Sequence, residues 1–513
     1  MSSGSEVQQI VRSTEEFEGK RLPPPPAPLA AVRRRRYIPR APQAQSLGVV
    51  RPMSSTQRRI RLAHHRWIRS ASALGALAVT LAWPAPAARA ASAHAAPASI
   101  GLPASRLFDA VTTQGARLAP LLGQPIARLA LFAVGPAGLA PIPFQVDERE
   151  GTEPGDAPWV YTLGAYAHPD SDDGALDAND ELVFMARDAG ARAATNPPRA
   201  RTTVELEVSD PVTGDVAYAY LASFDADPPR SDQSYVRLDA QTDTVSATNY
   251  FASISTAVPI SWSNFTLRDA RGQPSANLLD RFKVRVRALF VLGLVEWKVN
   301  EEQLQSVPVG YREGPVRVIR RVRNRLDTGL GLERSDYLLD TVYYDNAVFL
   351  PAYVVVPFEP GFFMKDIAIR TSVDFRRALD GWSFTSSRNP TPVAIDGVMS
   401  PAERALDLGD TDWLVLSKND AALISRVLVL DPRLKTVERG LYYVDDATAA
   451  DAPEAELGQT PNVGFEFSHF EGATAGSYKT LGEIYIVNGY ERGMERRFLE
   501  LRSKPLLVTA SRR

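Results

Sequence analysis

The 513-residue chain predicts a mainly all-β protein, two β-sandwich units with a few short helices, on three observations. From about residue 100 onward apolar and polar residues alternate with period two, clusters of Gly, Pro, Asn and Asp interrupt the alternation, and long amphipathic helical patterns are few. Length argues for two units. The segment 226–232 (ADPPRSD) sets adjacent prolines and charges between two strand-rich stretches, so the expected units are 98–230 and a larger 245–513.

Taken in order, residues 1–52 carry Pro and Arg runs at 23–26 and 33–36 without periodicity, the composition of a disordered extension. They precede a segment that opens on its own methionine, Met53, as a misassigned start codon would leave them. Residues 53–90 have a basic beginning (Arg58, Arg59, Arg61, Arg66, Arg69), an apolar run over 71–83 and small-residue A-x-A sites near 88–90, the marks of a secretory signal peptide. The apolar run is shorter than the ~18 residues a membrane span needs. The mature chain is therefore expected in the bacterial periplasm or outside the cell, with no transmembrane anchor after processing. Strands are expected at 201–208, 216–222, 280–291, 316–325, 337–344, 353–358, 413–417, 425–430, 440–444 and 481–487, and short helices at 401–408 and 492–502.

Residues 1–90 hold 15 of the 58 Lys and Arg but 4 of the 60 Asp and Glu, which leaves a remainder with net charge −13. Such a field repels nucleic acid and anionic membranes at long range, so neither is an expected partner. Cysteine is absent, which removes disulfides, thiol nucleophiles and sulfur-ligated metals. Beyond residue 90 only His94, His168 and His469 remain, and His94 lies in an Ala-rich start, so a three-His zinc site inside the fold is excluded by number.

Three stretches carry candidate chemistry. The segment 168–181 (HPDSDDGALDANDE) gathers Asp170, Asp172, Asp173, Asp177, Asn179 and Asp180, hard oxygen ligands suited to Ca²⁺. Its glycine spacing does not fit an EF-hand loop, and an Asx-rich turn capping the next strand is the competing reading. Next, Arg281, Lys283, Arg285 and Arg287 share one strand face, and Arg317, Arg321, Arg323 and Arg325 recur on another. As neighbouring strands they would present up to eight cations to the carboxylates or sulfates of an acidic polysaccharide; cross-strand salt bridging is the alternative. Finally, His469 and Glu471, within 465–472 (FEFSHFEG), share one face in strand register and are the candidate catalytic pair. Trp262, Trp297, Trp382 and Trp413 offer rings for sugar stacking or for the core.

Two resemblances sit on these residues. The pairing of 142–148 (IPFQVDE) with 176–190 (LDANDELVFMARDAG) is similar to one found in uncharacterised exported bacterial proteins, which implies export and a β-rich first unit. The segment 313–323 (EGPVRVIRRVR) resembles a strand entry in carbohydrate-active β-sandwiches of the galactose-mutarotase type, whose concave faces receive sugars. The helical toroid of the sugar lyases has no counterpart in the helical pattern here. The expected activity is binding of a glycan at the cell envelope; a carbohydrate-active hydrolase, lyase or epimerase, or a structural component docking to an envelope protein through a sheet edge, are the alternatives.

Overall fold

Among the described residues the strands form five antiparallel sheets, and the chain is all-β with few, short helices. The computed structural model describes residues 101–149, 173–269, 271–290, 295–326, 335–356, 359–362, 364–429, 431–434 and 437–513. The extension 1–52, the leader 53–90, and His168, Asp170 and Asp172 of the acidic stretch lie outside the described residues.

The short strand Glu181–Met185 shows how the layers join. Its side chains alternate, so Leu182 and Phe184 enter one core with Leu131, Val204 and Tyr220, while Val183 and Met185 enter another with Ile319, Val342, Ile424 and Tyr485. Buried on both faces, it reads as an uninterrupted apolar run. It is the middle strand of a three-stranded sheet with Ala110–Gln114 and Gln145–Asp147. On one side of that sheet packs a five-stranded sheet ordered Leu507–Arg512, Thr202–Ser209, Val216–Ser223, Leu129–Gly135, Gly138–Pro141. On the other lies a nine-stranded sheet, from Leu304–Glu313 at one edge through Val318–Leu326, Ser335–Tyr343, Ala347–Val356, Gly476–Asn488 and Ala421–Val429 to Val393–Ala394 at the other. The far face of the nine-stranded sheet covers a second five-stranded sheet ordered Val295–Asn300, Leu279–Phe290, Met364–Phe375, Gln459–Ser468, Glu438–Asp446, and a four-stranded sheet spanning Val236–Asp239 to Trp262–Leu267 closes one end.

Sequence alternation located strands better than it located their ends. The expected strands 353–358 and 425–430 begin earlier, as Ala347–Val356 and Ala421–Val429. The expected helix 401–408 is Pro401–Arg404, opened by a capping box in which Ser400 and Glu403 satisfy each other's backbone N–H groups. Gln459–Ser468 escaped the sequence reading because Pro461 and Gly464 are strand breakers by pattern. Gly464 is there for close approach: a Cβ would stand 2.2 Å from the Thr371 carbonyl oxygen. The last strand, Leu507–Arg512, pairs with Thr202–Ser209, so the end of the chain completes a sheet whose other strands lie between residues 129 and 223. Buried Arg106 secures that return, donating to Asp210 at 2.7 Å and to the carbonyls of Leu501 and Lys504.

Candidate functional site

The second five-stranded sheet has two unlike faces, and alternation along Leu279–Phe290 makes both. Phe282, Val284 and Val286 point between the sheets, while Arg281, Lys283, Arg285 and Arg287 point outward. In the neighbouring strand, Ile369, Thr371 and Val373 face inward and Arg370, Ser372 and Asp374 outward. Antiparallel register then sets Arg285 opposite Arg370 and Arg370 opposite Glu466. Two arginines side by side repel unless something neutralises them. The segment 447–458 does so by crossing the outer face. Asp451 stands 2.5 Å from Arg370 Nη2, 3.4 Å from Arg285 Nε and 3.5 Å from Lys283 Nζ, and its carbonyl accepts from Arg285 and Lys283 at 2.8 Å each. Asp280 holds the same segment by accepting the backbone N–H groups of Ala455 and Glu456.

Burial governs the protonation of this cluster. Asp374 is fully buried with Lys283 Nζ at 2.6 Å, yet loss of hydration outweighs the lysine and pushes its carboxyl up to about 7. Burial also works to raise Asp451, but Arg370, Arg285 and Lys283 together more than offset it and hold the carboxyl below its ordinary range. The Arg370 guanidinium lies over the Tyr442 ring at 4.0 Å from its centre, a cation–π contact. Burial pushes the Tyr442 hydroxyl up to about 12 against the opposing pull of Arg370.

Beside the crossing segment a cavity of about 370 Å³ opens on this outer face, walled by Arg285, Arg287, Lys298, Arg370, Asp451 and Glu466, with amides from Asn300 and Gln303. Arg287 is exposed, and among the described residues it has no ion-pair partner. Lys298 reaches Glu296 at 2.9 Å with both side chains in water, a pair that screening leaves weak. The groove thus combines two cations spent on holding its wall with two available to a ligand.

The other expected ligand-binding residues lie elsewhere. Arg321 and Arg323 lie in the strand Val318–Leu326 of the nine-stranded sheet, with Arg317 just before it, and Lys283, Arg285 and Arg287 lie in the five-stranded one, so the two basic strands are not neighbours and no eight-cation face forms. Arg321 is wholly buried in a two-pronged pair with Asp340 at 2.7 and 2.8 Å. Arg317 is buried against Asp147 and Glu181, at 2.6 Å from each, and donates to the Tyr344 hydroxyl. Arg323 is half-buried on the same strand.

His469 and Glu471 do meet, Nδ1 to Oε1 at 3.2 Å, but by a route that strand register did not foresee. His469 takes a left-handed conformation (φ 60°) just past the end of Gln459–Ser468, and Glu471 sits in the short helix Phe470–Gly472. The imidazole is half-exposed, its Nε2 is 3.8 Å from Glu438, and neither residue walls the groove. Glu471 is held below its ordinary range: burial opposes this, but backbone N–H groups including that of Ile367 and then His469 prevail.

In the acidic stretch, carboxylates are turned onto the backbone. Asp180 accepts the N–H of Asp177 at 2.7 Å and of Arg149 at 3.2 Å, and burial pushes it up to about 6. Asp173 accepts the N–H of Ala175, and Asn179 donates to the Arg149 carbonyl. Among the described residues no three acidic or histidine side chains converge as a metal site, there or elsewhere. Trp262 and Trp382 are buried in, and Trp297 packs against, the core between the nine-stranded and second five-stranded sheets, while Trp413 packs against the core that holds Val183 and Met185.

No protein-family model and no curated protein sequence matches the chain. Among solved structures, the chain is similar to an α-mannosidase from Enterococcus faecalis V583 (10% identity over 79% of this chain and 44% of that one, TM-score 0.40). It is similar to a glycosyl hydrolase family 38 protein from Enterococcus faecalis (8% identity, 79% and 45%, TM-score 0.40). A galactose mutarotase-like protein from Clostridium acetobutylicum matches at 8% identity over 50% of this chain and 100% of that one, with a TM-score of 0.29. The chain spans less than half the length of the first two.

Proposed function

We propose that the chain is an exported binding protein of the bacterial envelope and that its outer groove takes an anionic carbohydrate. The observation that carries this reading is the groove's charge pattern, in which Arg285 and Arg370 are pinned by Asp451 while Arg287 and Lys298 remain open to water. The Arg287 guanidinium can grip a carboxylate or sulfate in a planar, two-pronged way, Lys298 adds a second cation, and the amides of Asn300 and Gln303 add partners for sugar hydroxyls. Asp451 is held ionised by three cations and is not a proton donor at neutral pH.

The test is an array of neutral and acidic polysaccharides, read for retention of the protein and for released product. Retention on uronic-acid or sulfated glycans is expected, weakening as salt rises. Charge reversal in Arg287→Glu is expected to lower affinity by about tenfold, roughly 1.4 kcal/mol, and to flatten the salt dependence. Equal affinity in the variant would remove the groove from the account. Product release that disappears in His469→Ala would move the function to the His469–Glu471 pair, and retention on neutral glycans alone would refute anionic recognition.

A further inference from the structure

The outer groove carries charge of both signs, and strand register sorts it. Leu279–Phe290 and Val295–Asn300 set Arg287 opposite Lys298, the two cations that the fold leaves to water. Two strands away, on Gln459–Ser468, Glu466 walls the same cavity.

Glu466 is half-buried, and among the described residues no side chain pairs with it. Opposite charges that face each other across a strand pair ordinarily attract. Arg281, Arg285 and Lys283 on this face follow that rule and meet Glu301 or Asp374. Arg370 is the residue opposite Glu466, yet its guanidinium is 2.5 Å from Asp451 and lies over the Tyr442 ring. On the other flank the facing residue is Gly440, which has no side chain to offer. Glu466 is therefore a carboxylate in the groove whose partner the fold withholds.

The face between the two kinds of charge is low. Arg287 stands opposite Ala368, which also walls the cavity, and Ser468 comes next at the same level, two residues beyond Glu466. Small side chains there leave room for a ring to lie across the strands. Neighbouring strands are ~4.8 Å apart, so the two spacings from the strand of Arg287 to that of Glu466 amount to about 10 Å. A glycan carrying only negative charge would bring it towards Glu466 and strip water from that carboxylate, and both effects weaken binding. A protonated amine at that point supplies a charge-assisted hydrogen bond instead.

We infer that the groove reads a zwitterionic glycan: Arg287 and Lys298 take its carboxylate or sulfate, and Glu466 takes a protonated amine about 10 Å away, as on an amino sugar whose nitrogen is not acetylated. This rests on the outer groove being the glycan site, and it adds the residue that selects among acidic glycans.

The probes are hyaluronan oligosaccharides, in which glucuronate alternates with N-acetylglucosamine, and the same oligosaccharides after N-deacetylation. Both carry the carboxylate, and one carries the amine, which is charged at about pH 6.5. The full chain is expected to bind the free-amine form about tenfold more tightly than the acetylated form. Glu466→Gln, which keeps the shape and removes the charge, is expected to bring the two forms to equal affinity. Arg287→Glu is expected to weaken the acetylated form about tenfold. Equal binding of the two forms by the unaltered chain, or a preference for the amine that survives Glu466→Gln, overturns the inference and leaves the anionic groove standing. Binding of neither form by the unaltered chain removes the groove reading and the inference with it. The comparison on the unaltered chain decides the matter whether or not a variant folds.

Discussion

Replacing Arg317 by methionine is expected to destabilise the fold by about 3–5 kcal/mol, the range for removing one partner of a buried ion pair. Arg317 joins the three-stranded sheet to the nine-stranded one. Its Nε and Nη2 reach Asp147 at 2.8 and 2.6 Å, Nη2 also reaches Glu181 at 2.6 Å, and Nη1 donates to the Tyr344 hydroxyl at 2.9 Å. Gln145 completes the arrangement, accepting the backbone N–H groups of Val316 and Arg317 and donating to Asp147. Gly314 leaves room for it, since a Cβ there would stand 2.2 Å from the Gln145 side-chain oxygen. Without the guanidinium, the side chain of Asp147 loses its charge partner in a place that water does not reach. Lysine at 317 cannot serve both carboxylates with a planar fork and is expected to recover less than half of the loss. The readout is the midpoint of thermal and urea unfolding at pH 7. A loss below about 1 kcal/mol would show that the sheets are held by packing alone, as for a surface pair.

Replacing Lys283 by methionine is expected to cost stability in a way that grows with pH. The folded-state Asp374 carboxyl is raised to about 7 from an unfolded value of 3.8, so between those limits the folded chain binds the extra proton and stability falls as pH rises. Removing the neighbouring ammonium raises that carboxyl further and extends the fall beyond pH 7. At pH 5 Asp374 is neutral in both proteins and adds no difference; by pH 8, one unit above the wild-type value of about 7, its proton is expected to add up to about 1.4 kcal/mol to the variant's deficit. Asp451 and Glu454 lose the same partner, so the segment 447–458 is expected to be cleaved faster by protease. The companion Lys283→Met/Asp374→Leu removes both buried charges and should restore stability and flatten its pH dependence. A deficit equal at pH 5 and pH 8 would mean that the pair acts through shape and not charge.

These two clusters show how far the residues alone could be read. Two of the three segments that carry the resemblances, 142–148 and 313–323, meet at Gln145, Asp147 and Arg317. Their polar residues form a buried clamp, so they specify architecture and say nothing of a ligand. Nothing local distinguishes Arg317 from Arg287: each is an arginine in an alternating stretch, and one is buried beside a neighbouring sheet while the other faces water. Arg370, Lys298 and Glu466 were missed because each is one charge in an ordinary polar alternation. The signal that could have found Arg370 is its place in a strand, Met364–Phe375, whose apolar residues recur at Ile367, Ile369 and Val373.

What the amino-acid order determined by itself is period-two alternation, and with it the β class and the grouping of Lys283, Arg285 and Arg287 on one face, because a strand turns successive side chains to opposite sides whatever surrounds it. It also settled the absence of thiol chemistry and, by number, of a three-histidine metal site. Tertiary structure alone decided which strands became neighbours, with Arg285 opposite Arg370, Arg317 beneath another sheet and Leu507–Arg512 beside Thr202–Ser209. Pairing between strands far apart in sequence follows from burial and hydrogen bonding summed over the whole chain, and that sum cannot be read from any one segment.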